Sequence, residues 1–260
     1  MKNTDSNAVK LDLGVLILSA MTEDSHRFYT ESGLGTDIDW FATAMPFIPR
    51  RNFRRVWLLH EPIPTYVPEQ VIIIPGSECS VHLMPRRNDL NKFIQTMWFS
   101  DKSCLFICFG HQALCDAFGG KVERNKTGLE FGQKKITLTE YGLSDPIFQG
   151  ISSPFSTIVA HEDCVSVLPE LPRPTLLAQS DNCTYQALSF GTRWKSFQFH
   201  PEMHGKIIEA TAQINKESLL NEGVVNATTR LPEFIRNLGK ASNEGRRIFE
   251  NFIKHCVPHK

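Results

Sequence analysis

The chain has 260 residues, of which 41% are hydrophobic, 10% aromatic and 22% charged, a composition of ordinary soluble globular proteins. Its 28 Lys plus Arg balance 28 Asp plus Glu, so the formal charge is zero and no basic surplus points to nucleic acid or to an anionic membrane. The seven cysteines are odd in number and include no C-x-x-C pair, which argues against a disulfide framework and for a reducing, cytoplasmic setting.

The polar start, MKNTDSNAVK, reads as a flexible tail over residues 1–10 and lacks the basic-then-apolar pattern of a signal peptide. The continuous apolar runs LGVLILS (13–19), RVWLL (55–59), VIII (71–74) and CLFIC (104–108) read as strands buried on both faces, and all are too short to span a bilayer. Between the last two, Leu90, Phe93, Ile94, Met97 and Trp98 fall at helical spacing, with Asn88 or Asp89 as N-cap. HQALCDAF (111–118) reads as a helix ending at Gly119-Gly120, a pair suited to a left-handed cap. Strands follow at 134–139, 155–161, 175–180, 184–189 and 193–199. Several alternate in polarity, which predicts a mixed or antiparallel extension of the sheet. Residues 203–260 turn helical and charged. The pattern predicts an α/β fold: an open, mostly parallel twisted sheet flanked by helices over 11–202, with the helical C-terminal segment packed on the same domain.

One junction carries chemistry. In CLFICFGHQALCDAFGG a buried strand runs into Cys108 and a helix starts almost at once. A nucleophile at such a turn stands clear of the sheet edge in a strained conformation, and a small residue, Gly110, lets the chain reverse. The unpaired N–H groups and dipole of the helix start favour a thiolate and can hold an oxyanion. Cys108 taken alone would read as a small buried hydrophobe; its neighbours change that reading.

The stretch FICFGHQALCDAFGGKVERNKTGLEFG resembles the nucleophile region of class I glutamine amidotransferases, in particular the glutaminase domains of GMP synthetases and their standalone relatives. FQFHPE (197–202), VIIIPGSECSV (71–81) and VAHEDCVSVLP (159–169) resemble three further blocks of that family in the same order. The resemblance spans about residues 11–202 and implies a flavodoxin-like fold. It implies Cys108 as nucleophile, His200 as base and Glu202 as the carboxylate that orients it. It also implies an oxyanion hole from the N–H groups of Gly76 and Phe109, and substrate contacts from Gln112, Ser80, His161 and Asp163. His161 and Asp163 carry a structural reading beside the functional one, and His111 reads as a packed histidine. His200 and His204 lack companions for zinc, and neither metal nor cofactor is expected.

Two residues depart from the family pattern. Phe106 stands where a glycine usually allows close helix–strand contact, so its ring is expected to push a neighbour aside. Glu78 stands where many relatives have proline. No P-loop or other nucleotide signature is present. The expected activity is therefore hydrolysis of the γ-glutamyl amide of glutamine through a cysteinyl thioester, with ammonia passed to a separate synthase. The alternatives are a free-standing hydrolase or peptidase of γ-glutamyl conjugates, and a catalytically silent binding module.

Overall fold

The computed structural model describes residues 11–225, 231–236, 238 and 244–258; the N-terminal tail over 1–10 lies outside them. In chain order the elements are β1 (Val15–Ser19), α1 (Glu23–Glu31), α2 (Asp37–Ala44), β2 (Phe53–Trp57), β3 (Val71–Ile74), α3 (Arg87–Trp98), β4 (Ser103–Ile107), α4 (Phe109–Ala117), β5 (Lys121–Arg124) and β6 (Glu130–Leu138). Then come α5 (Glu140–Ser144), β7 (Phe155–His161), β8 (Asp163–Val167), β9 (Thr175–Gln179), β10 (Ala187–Phe190), β11 (Trp194–Phe197), α6 (Gly205–Ile214), α7 (Lys216–Asn221), α8 (Leu231–Arg236) and α9 (Glu244–Cys256). None of the described helices is long and apolar enough to cross a membrane.

The main sheet runs β2-β1-β3-β4-β11-β10-β9-β6-β7. Strands β2, β1, β3, β4 and β11 are parallel, and the remaining pairings are antiparallel. Strands β1, β3 and β4 are buried along their whole length. That is why they read as unbroken apolar runs, and why alternation appears only in the antiparallel half, as in β6. The chain bends back after β11: His200 N–H donates to Ile158 O at 2.8 Å, so the antiparallel half curls round toward the parallel one.

Two hydrophobic layers cover the parallel sheet. One packs Leu90, Phe93 and Ile94 of α3 and Ala113 and Leu114 of α4 against Ile72, Ile74 and Phe106. The other joins Phe41 of α2 and Ile248, Phe249 and Phe252 of α9 to Val15, Ile73, Leu105 and Phe197. Phe106 fits without displacing the nucleophile turn: its ring is fully buried, with its centroid 5.2 Å from that of Trp194. The close helix–strand contact is carried instead by Gly110, where a Cβ would lie 2.0 Å from Ile74 O.

Several boundaries differ from the sequence reading. α3 begins at Arg87 with Arg86 as its cap residue, so Asn88 and Asp89 lie inside the first turn, where Asp89 faces the helix dipole rather than capping. α4 begins at Phe109, directly after Cys108, which closes the strand-to-helix turn tighter than expected. Helices α1 and α2 and the small two-stranded sheet of β5 and β8 were hidden by their length. α1 nevertheless carries a readable start, with Thr22 Oγ1 accepting from Ser25 N–H and Glu23 and Asp24 in the first turn.

Replacing Gly110 by Ala should destabilise the fold by about 3 kcal/mol or more, because backbone must move. Gly119→Ala, at φ +83° with open space around it, should cost only about 1 kcal/mol of backbone strain. Phe106→Ala should cost about 3–5 kcal/mol through the cavity it leaves. Urea unfolding midpoints of the three variants check this order.

Candidate active site

Three adjacent parallel strands, β3, β4 and β11, end on one side of the sheet, and the segments that follow them supply Gly76, Cys108 and His200. Ligand sites of open α/β sheets form at such carboxyl ends. Cys108 is the sole non-glycine residue with positive φ among the described residues, at φ 49° and ψ −103°. Its backbone N–H donates to Phe197 O at 2.7 Å, and its carbonyl accepts from Gln112 N–H at 3.0 Å. β11 and the first turn of α4 therefore hold this strained residue from both sides.

His200 and Glu202 are both buried, and the ring Nδ1–H donates to Glu202 Oε1 at 2.7 Å. A carboxylate only accepts, so Nδ1 carries the proton and Nε2 is left for Cys108. Burial pushes the His200 ring down, but the Glu202 carboxylate and the sulfur of Cys108 outweigh it and hold the ring well above the ordinary histidine range. Nε2 has no aligned hydrogen-bond partner at rest, and the Cys108 thiol lies 3.7 Å from Ala160 O. Catalytic bonds in unliganded sites are often this loose.

A Cβ on Gly76 would lie 2.6 Å from His200 Cε1 and 3.5 Å from Cys108 Cβ, so the Gly76 backbone borders both groups. Phe109 is the first residue of α4, where an N–H has no intrahelical acceptor. The His-Pro-Glu turn is clamped from outside: a Cβ on Gly245, in the first turn of α9, would lie 2.1 Å from Pro201 O.

Cys108, His200 and Glu202 open into a cavity of about 420 Å³. The four other predicted contact residues form one hydrogen-bonded wall of it. Ser80 Oγ donates to Asp163 Oδ2 at 2.8 Å, and the Gln112 side-chain amide donates to Asp163 O at 2.8 Å. His161 Nδ1 donates to the same carbonyl at 3.1 Å. Gln112 thus braces the β7–β8 turn with its amide nitrogen. His111 lies outside the cavity, fully buried, with Nδ1 2.9 Å from Ser196 Oγ. Burial, followed by the nearby His161, drives its pKa down to about 3 and keeps the ring neutral.

The opposite wall was not foreseen. It is built from Met21, Tyr29, Asp37, Trp40, Thr211 and Asn215, residues of the short helices α1 and α2, of α6 and of their flanks. Tyr29 and Thr211 hydroxyls meet at 2.8 Å. Glu78 turns toward this wall, where Ser25 and the Thr22 backbone at the start of α1 bond its carboxylate. Its side chain is solvent-exposed in the cavity mouth, and the protein crowded around it pushes its pKa up.

The model of the class-I glutamine amidotransferase family matches residues 54–216. The chain belongs to that family. Among curated relatives, γ-glutamyl peptidase 5 of Arabidopsis thaliana is 38% identical over 109 residues, covering 41% of this chain and 43% of the relative. γ-Glutamyl peptidase 2 of the same plant is 28% identical over 159 residues, 61% of this chain and 62% of the relative. The GMP synthase of Pyrobaculum aerophilum is 33% identical over 135 residues, 52% of this chain and 24% of the relative. The chain thus spans less than two thirds of the length of these relatives. A glutamine amidotransferase of Thermotoga maritima shares the fold at TM-score 0.67 and 15% identity, covering 94% of this chain and all of that one. A glutamine amido transferase of Methylobacillus flagellatus does so at TM-score 0.69 and 16% identity, covering 95% and 96%.

In this amidotransferase-family chain, Glu202→Gln should lower the pKa of His200. The substitution removes the carboxylate that favours the imidazolium and leaves burial, which favours the neutral ring. Ring NMR titration should show His200 of the variant releasing its proton at lower pH than His200 of the wild type.

Proposed function

We propose that this protein hydrolyses γ-glutamyl amide bonds through a thioester on Cys108. The reading is carried by a strained cysteine at a helix start beside a buried, carboxylate-held histidine. The Cys108 thiolate, its proton already held on His200 Nε2, attacks the γ-carbonyl carbon. The N–H groups of Gly76 and Phe109 stabilise the oxyanion, a contribution of roughly 100-fold in rate per donor. Collapse of the tetrahedral intermediate breaks the C–N bond, and His200 gives the proton to the departing amine. Water, deprotonated by the same ring, then attacks the thioester and releases glutamate, leaving the Cys108 thiolate beside the re-protonated ring. Glu202 fixes the tautomer and stabilises the imidazolium formed in each half-reaction.

The substrate we favour is a γ-glutamyl conjugate whose amine is larger than ammonia. A cavity of about 420 Å³, with a second wall of Tyr29, Trp40 and Thr211 beyond the thiol, falls in the range of sites that take molecules well above the size of glutamine, roughly 300–1,000 Å³. The likeness to γ-glutamyl peptidases agrees with this reading. The polar wall of Ser80, Gln112 and Asp163, with His161 bracing it from behind, would hold the amino-acid end of the glutamyl group. The likeness to GMP synthases supports a second reading, a glutaminase that passes ammonia to a separate synthase.

Purified protein given a panel of γ-glutamyl dipeptides and, separately, glutamine should release glutamate faster from the dipeptides. Cys108→Ala should reduce release on the order of 10⁴-fold or more. Release from glutamine alone, at a low rate that a synthase stimulates, would select the second reading. Equal release by wild type and Cys108→Ala would remove Cys108 from the chemistry.

A further inference from the structure

Behind the polar wall of the cavity, three buried side chains from separate parts of the chain converge. Glu130 opens β6, His161 closes β7, and Cys183 sits in the β9–β10 turn; one ligand atom of each lies within 4.8 Å of the others. All three are more than nine-tenths buried. Cys164, near the start of β8, neighbours Cys183. No sequence motif announces the group, because its members come from four different strand ends and turns.

The histidine carries the argument. Its Nδ1 is bonded to Asp163 O at 3.1 Å, and a carbonyl only accepts, so the ring proton is fixed on Nδ1. Nε2 lies 3.3 Å from Glu130 Oε2. Neither atom has an aligned hydrogen-bond partner, although both are buried. Buried polar atoms without a hydrogen-bond partner call for one, and a cation held by both would supply it. A histidine whose other nitrogen is tied to a backbone carbonyl is the usual arrangement of a metal ligand. The 3.3 Å separation matches the edge of a tetrahedron with metal–N and metal–O bonds of about 2.0–2.1 Å. The turn bearing Cys183 is itself held, with Cys183 N–H donating to Ser180 Oγ at 3.2 Å and Ser180 N–H to Cys183 O at 2.9 Å.

We propose that Glu130, His161 and Cys183, with Cys164 as fourth ligand, form a tetrahedral site for a zinc-class divalent cation. Imidazole, thiolate and carboxylate together suit Zn²⁺ rather than Mg²⁺ or Ca²⁺, which take oxygen ligands. Binding joins the start of β6, the β7–β8 turn and the β9–β10 turn. It thereby fixes the Asp163 carbonyl, onto which both His161 and Gln112 are bonded. The ion has no part in the cleavage step and acts as a clip behind the substrate wall.

The test uses the full chain carrying Cys108→Ala, so that the proposed nucleophile supplies no sulfur, kept reduced and stripped of metal. Titration with Co²⁺ should give one equivalent bound per chain, with the visible absorption of tetrahedral, thiolate-ligated cobalt, displaced by one equivalent of Zn²⁺. Cys183→Ser should abolish that spectrum. Glu130→Gln should weaken Co²⁺ binding at least about 10-fold, the usual effect of losing a group that supports a metal site. Zn²⁺ should raise the melting temperature of the parent protein but not of Cys183→Ser. Two results would overturn the site: no saturable uptake by the reduced protein, which leaves His161 and Glu130 as an ion pair, or an uptake and spectrum that Cys183→Ser and Glu130→Gln both leave unchanged.

Discussion

Helix α4 lies so close to strand β3 that at Gly110 only a hydrogen fits between them and the Ile74 carbonyl. This approach is what lets a helix begin one residue after a strand ends. It throws Cys108 into its positive φ and makes Phe109 the first residue of α4, with an N–H that has no intrahelical acceptor. Larger side chains at neighbouring positions are tolerated, as Phe106 shows, because they point into the layer beneath α3 and α4 rather than between helix and strand. The requirement for a small residue therefore falls on one position, and the strain at Cys108 is held there by packing on either side.

The catalytic candidates are placed by backbone geometry more than by their own side chains. Cys108, Gly76 and His200 follow three neighbouring strands, so sheet spacing brings them together without any long loop. His200 is then fixed twice, by its N–H to Ile158 O at 2.8 Å and by its ring to Glu202 at 2.7 Å. Pro201 between them is pressed by the backbone of α9 at Gly245. The C-terminal helix thus bears directly on the angle between base and carboxylate, although it contributes no residue to the cavity.

Much of this was legible in the sequence because the parallel strands are buried on both faces and the nucleophile turn uses a compact motif. VIII, CLFIC and GHQ each carry their structural reason within a few residues. What stayed hidden depends on distance along the chain or on short length. Tyr29, Asp37 and Trp40 reach the cavity from helices of nine and eight residues, too short for periodicity to stand out. Thr211 meets Tyr29 across 182 positions. Glu130 sits within the stretch that resembles the family, yet its partner His161 becomes visible only when β6 and β7 pair, in the register Glu130 opposite His161. Phe106 was misread for a physical reason: its side chain was assumed to face the helix–strand contact that Gly110 in fact provides.

The site contains two histidine–carboxylate pairs, and the bonds around each ring separate their roles. In His200 the carboxylate takes the Nδ1 proton along an aligned 2.7 Å bond, which leaves Nε2 facing the sulfur. Its raised pKa follows from the Glu202 carboxylate on one side and the sulfur of Cys108 on the other. In His161 the Nδ1 proton goes to a backbone carbonyl, so the carboxylate meets the other nitrogen, at 3.3 Å and without hydrogen-bond alignment. That ring faces the thiol of Cys183 and a carboxylate. The same residue types thus produce a proton carrier in one place and a set of converging ligand atoms in the other. The choice is made by which nitrogen the backbone claims first.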